Sequence, residues 1–63
     1  MQKWYLVGGD YGPIGAMYIE RWILTSSRAR AKDIFVDWMK HNHPIEWERM
    51  GRSNIGIVRE QEA

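Results

Sequence analysis

The sequence predicts an α+β fold: an antiparallel sheet of three or four strands with one amphipathic helix packed on one face. Apolar residues recur with a helical period only over residues 27–41, whereas the flanking segments alternate or are dense in branched and aromatic residues. No repeat, linker or low-complexity run interrupts the 63 residues, so residues 1–63 are expected to form a single domain.

The elements follow in chain order. Lys3-Trp4-Tyr5-Leu6-Val7 suits a pleated, half-buried surface and predicts a first strand. Residues 8–15 hold four glycines and a proline and read as a loop joining strand to strand. Residues 16–25 predict a second strand in which Met17 and Ile19 share one face and Trp22 and Leu24 the other. A β-bulge near Glu20-Arg21 would return both pairs to one side; otherwise the strand is apolar on both faces over part of its length.

Ala31, Ile34, Phe35, Trp38 and Met39 fall at i, i+3, i+4, i+7 and i+8, which is a helix stripe. Thr25, Ser26 and Ser27 offer hydroxyls to its first amides, and Asn42 with Pro44 supplies a stop, so the helix spans 27–41. Ala29 and Val36 fall on its outer side. Ile45 and Trp47 then alternate with Glu46 and Glu48, predicting a strand over 45–50. Gly51-Arg52-Ser53-Asn54 has turn chemistry, and 55–59 reads as a fourth strand hairpinned to the third. The expected core is Trp4, Leu6, Ile19, Ile34, Phe35, Trp38, Met39 and Trp47.

Composition narrows the function classes. There is no cysteine, which excludes a disulfide framework and a thiolate zinc site and suits a reducing cytoplasm. No leader pattern and no run of ~18 apolar residues is present, so the chain is expected to be soluble, untargeted and free of membrane contact. Nine basic against eight acidic residues leave a net charge of +1, which argues against bulk electrostatic binding to nucleic acid or lipid.

Four places invite a chemical reading. His41-Asn42-His43 puts two imidazoles at a turn, but no third ligand stands at a metal-binding spacing, so a solvated helix end is the expectation and no metal or cofactor is predicted. Glu46 and Glu48 on one strand face would lie about 7 Å apart, a glycosidase-like spacing that any alternating strand with two exposed glutamates produces. Arg28, Arg30 and Lys32 crowd the helix start, where the dipole disfavours cations by ~0.3–1 kcal/mol each; a phosphate or an acidic protein surface would offset that cost. Trp4, Tyr5, Tyr18, Trp22 and Trp47 exceed what one sheet face can bury, so some are exposed beside Arg21, Arg49, Arg52 and Arg59.

The order strand, strand, helix, strand, with Trp38 late in the helix and Ile45-Glu46-Trp47-Glu48-Arg49 after it, resembles small phage-encoded inhibitors of host machinery, such as the host RNA polymerase inhibitors of T7-like phages. The resemblance spans about residues 3 to 52 and is one of layout. In that family, arginines on the strand after the helix contact an acidic surface of the polymerase. Arg49 matches the first of them, Gly51 stands at the second, and Arg52 is the nearest replacement.

The expectation is therefore a non-enzymatic phage or mobile-element protein in the bacterial cytoplasm that binds and inhibits a host protein complex. Its contact residues would be Arg49, Arg52, Arg28, Arg30, Lys32, Tyr18 and Trp22. The alternative is a nucleic-acid-binding module that stacks bases on sheet aromatics and holds phosphates at the basic helix start. A second copy of the chain is a further admissible partner.

Overall fold

A computed structural model describes residues 1–12, 17–51 and 54–63. The elements run β1 (Lys3–Asp10), β2 (Tyr18–Thr25), α1 (Arg28–Asn42), α2 (Pro44–Met50) and β3 (Ile55–Glu62). The three strands form one antiparallel sheet in the order β2-β1-β3, with the first strand in the middle. The fold is thus α+β as expected, with three strands and, in place of the single expected helix, two helices among the described residues.

The strand expected over 45–50 is helix α2. Pro44 occupies its first turn, Glu46 lies beside it, and the Trp47 carbonyl accepts the Gly51 amide. An Ile-x-Trp alternation only three residues long is equally compatible with a helix that buries one side, and Met50 is the residue this one buries. Gly51 closes α2 at φ 67° and ψ 162°, a conformation that side chains with a Cβ rarely adopt. Gly51→Ala should therefore destabilise the fold by ~1–3 kcal/mol even though open space surrounds the position, as urea unfolding would show.

β1 extends past the expected loop boundary at residue 8 and reaches Asp10. Glycine at 8 and 9 marks close approach within the strand: a Cβ on Gly8 would strike the Tyr18 phenol, and one on Gly9 would meet Met50 Sδ at 2.8 Å. Residues 13–16, the end of the glycine-rich segment and the first residue of the expected second strand, lie outside the described residues, as do Arg52 and Ser53.

The bulge expected in β2 is absent. The β1–β2 register runs without a shift from Lys3↔Thr25 to Asp10↔Tyr18, so β2 is apolar on both faces. A shift occurs instead on β3, between the partners of Leu6 and Val7, where Arg59 and Ile57 pair and Val58 is the extra residue.

One side of the sheet carries the core: Tyr5, Val7, Ile23 and Ile55 meet Ala31, Phe35, Val36 and Met39 of α1 and Met50 of α2. Phe35 and Met39 are fully buried as expected, while Ile19, Trp38 and Trp47 pack on the cluster only partly buried. Trp4 and Ile34 are exposed, and Leu6, although buried, lies outside the cluster. β1 presents Tyr5 and Val7 to the helices because Trp4-Tyr5-Leu6-Val7 is apolar throughout, so either phase offers a hydrophobic face. On α1 the buried arc reaches Val36, expected outside, because a second helix shares its layer and adds Met50 to the same cluster.

α1 starts one residue later than expected and is capped by Ser27, whose Oγ accepts the Arg30 amide at 3.2 Å. Its last turn is closed by side chains: His41 Nδ1–H donates to the Asp37 carbonyl at 2.8 Å, and Asn42 Nδ2 donates to that of Trp38 at 2.9 Å. No helix among the described residues is long and apolar enough to cross a membrane.

Candidate functional site

Strand alternation assigns every side chain of the sheet to a face. Tyr5, Val7 and Gly9 look toward the helices, so Trp4, Leu6, Gly8 and Asp10 look away from them. Through the β1–β2 register, Tyr18, Glu20, Trp22 and Leu24 share this outer face. On β3 the bulge leaves both Val58 and Arg59 there, with Gln61 and Gly56.

No helix among the described residues covers that face, and its large side chains are correspondingly open: Trp4 is 39%, Trp22 38%, Leu24 40% and Val58 54% exposed. Leu6 lies buried between its neighbours at the centre. A shallow cavity of about 310 Å³ sits between Trp4, Trp22 and Gln61, with room for a large side chain of a partner.

The charges on this face are few and unequally placed. Glu20 and Asp10 lie toward the Tyr18 end, and Tyr18 is raised above the ordinary tyrosine value of 10.0, first by burial, then by a hydrogen bond to Glu20 and by the charges of Glu20 and Asp10. Its phenol therefore holds its proton more tightly in the folded chain. The stability this contributes is complete below the unfolded value near 10 and is lost as pH rises through the higher folded one. Spectrophotometric titration of wild type minus Tyr18→Phe should isolate one phenolate transition above 10.0; a midpoint at or below 10.0 would contradict the burial of the phenol together with its carboxylate neighbours.

At the other edge Arg59 shares a row with Leu6 and Trp22 and has no ion pair among the described residues. An unpaired guanidinium on the same open face as two indoles is the composition of an interface anchor. Sequence reasoning placed Arg59 beside aromatics without selecting it as a contact residue, because the register shift that turns it outward leaves no mark in the residue pattern.

The residues selected from sequence do not converge. Tyr18 and Trp22 lie on the outer face. Arg28, Arg30 and Lys32 belong to α1 in the opposite layer and do not form one patch. Arg28 reaches the sheet and forms a salt bridge with Glu60, which also meets Lys3 Nζ at 3.9 Å, whereas Arg30, two residues on, points ~200° round the helix. Glu60 thus supplies the negative partner that the crowded helix start lacked. Arg49 is exposed on α2, again in the helix layer, and Arg52 lies outside the described residues. Tyr5 faces the helices and is buried, so it is removed from the stacking candidates.

The remaining chemical candidates also have structural roles. His43 packs against Trp38 with the rings tilted by 59° and their centroids 5.0 Å apart, and the Arg21 guanidinium lies 4.8 Å from the Trp38 ring. His43 Nδ1 is 3.7 Å from Glu46. Among the described residues no three histidine, cysteine or acidic side chains gather as a metal would require. Glu46 and Glu48, two residues apart on a helix, point to different sides, so the paired-carboxylate geometry expected on a strand does not exist.

No protein-family model, curated protein or solved structure matches this chain. The strand after the helix, on which the likeness to phage inhibitors leaned, is α2 in the structure, so Arg49 is presented from a helix.

Proposed function

We propose that the chain is a non-enzymatic binding protein that docks onto another protein through its outer sheet face and thereby inhibits it. The observation that carries this reading is the clustering of Trp4, Trp22, Leu24 and Val58, each more than a third exposed, on one uncovered face beside the unpaired Arg59. Trp and Arg anchors around a small cavity, with polar groups at the rim, are what protein interfaces use for affinity. The target class follows the sequence resemblance: a bacterial complex that handles nucleic acid, such as RNA polymerase or a defence complex, met in the cytoplasm of the host.

The nucleic-acid alternative receives less support from the geometry. The outer face carries Arg59 against Glu20 and Asp10, and the basic start of α1 is in the other layer, so aromatics and cations do not share a surface that could follow a phosphate backbone.

Affinity capture from bacterial lysate with wild type and Trp22→Ala in parallel, read by mass spectrometry, tests the proposal. A protein enriched by wild type and lost with Trp22→Ala supports it. Single-stranded DNA binding that falls steeply with salt and needs Tyr18 would overturn it in favour of the alternative.

A further inference from the structure

The strand registers order the outer face into rows that run from β2 through β1 to β3: Leu24–Trp4–Gln61, Trp22–Leu6–Arg59 and Glu20–Gly8–Gly56. The β2 side is mainly apolar and the β3 side mainly polar. A two-fold axis parallel to β1, above Leu6, exchanges those two sides and keeps each row at its own height. Such an axis lays β2 of one copy over β3 of another, as in aligned sheet packing.

The face is self-complementary under that operation. Trp22 of each copy meets Arg59 of the other, which gives the unpaired guanidinium an aromatic face twice over. Leu24 meets the stem of Gln61, and Glu20 meets Gly56, where no side chain crowds it. Arg59 also comes within one row of Glu20 across the contact, while Asp10, at the end of β1, meets its own counterpart and opposes the association, which keeps it weak. Leu6 and Trp4 lie nearest the axis and meet their own counterparts.

The edges of the sheet are poorer candidates for self-association. β3 is bulged and charged, and β2 carries Arg21 on its helix side, two devices that discourage a further strand.

We propose that a second copy of this chain docks face to face on the outer sheet, forming a symmetric dimer that shields Trp22 and Arg59 until a tighter partner displaces it. This rests on the reading of that face as the docking surface and adds its regulation. Three strands of eight residues at ~4.8 Å spacing and ~3.3 Å rise give a footprint of only about 400 Å² per copy. That is at the low end for a specific contact, so the dimer is weak and depends on concentration.

Sedimentation equilibrium from micromolar to millimolar protein tests it. Wild type should move from one chain toward two. Arg59→Glu, which sets two carboxylates against each other beside Glu20, and Trp22→Ala should both weaken association about tenfold or more, while Arg49→Glu on the helix layer leaves it unchanged. Circular dichroism confirms that each variant is folded; Arg59 is exposed, so its variant keeps the test open if Trp22→Ala does not fold. A wild type that stays monomeric throughout overturns the dimer and leaves partner capture standing. Association that survives in both variants overturns it as well. Partner capture insensitive to Trp22, with dimerisation intact, sinks the partner reading instead.

Discussion

Phe35→Ala should unfold the protein at room temperature, or leave it with a broad, low-temperature transition. Phe35 is fully buried where α1 meets the sheet, among Tyr5, Val7, Ile23 and Met39 of the same cluster. Truncating a buried phenylalanine costs ~3–5 kcal/mol through lost transfer energy and the cavity left behind. A chain of this length has only about 3–9 kcal/mol in total, at the usual ~0.05–0.15 kcal/mol per residue. The core has no disulfide to limit the damage. Trp38→Ala, by contrast, removes a half-buried ring that supports Arg21 and His43 at the margin of the core, and should leave a folded protein. Urea unfolding followed by circular dichroism separates the two; a Phe35→Ala variant as stable as wild type would displace Phe35 from the core.

The second large effect is on binding. Trp22→Ala should weaken the partner complex by ~2–4 kcal/mol, roughly 30- to 1,000-fold, as loss of a central aromatic anchor does. Its cost to the fold should be only about 1 kcal/mol, since the ring is 38% exposed and packs on a sheet whose core lies on the other side. That asymmetry between binding and stability distinguishes an interface residue from a core residue. Calorimetric titration of the captured partner with both proteins, alongside their thermal unfolding, gives the two numbers together.

How much of this was legible in the sequence depended on whether one local pattern had one solution. α1 did: its apolar stripe, the serine at its start and the Pro44 beyond it all agree, and the structure moves its ends by one residue. β1 did not, because four consecutive apolar residues give either phase a hydrophobic face, and only the packing of α1 decides that Tyr5 and Val7 go inward. α2 is hidden in the pattern because Pro44, which stops a helix before it, is also the first turn of the next. The informative signal was Pro44 with Glu46 ahead of Trp47, Met50 and Gly51: an N-terminal proline, an acid in the first turn, an i, i+3 pair and a glycine stop.

The outer face was legible in outline and not in detail. An excess of sheet aromatics over one buried face requires that some be exposed, and Trp4 and Trp22 are. Which cations accompany them was not readable. Arg28 is drawn to Glu60 by a pairing 32 residues away in sequence, and Arg59 is turned outward by a bulge that only the β1–β3 register reveals.

The four tryptophans divide evenly between the layers, with Trp4 and Trp22 on the outer face and Trp38 and Trp47 against the helix core. Their indole N–H signals in a nitrogen-15 spectrum therefore report directly which layer a partner touches. Addition of the captured partner should shift or broaden the Trp4 and Trp22 signals and leave those of Trp38 and Trp47 in place. Shifts confined to Trp38 and Trp47, with Trp4 and Trp22 unmoved, would contradict docking through the outer face and move the interface to the helix layer, where Arg49 and Lys40 lie.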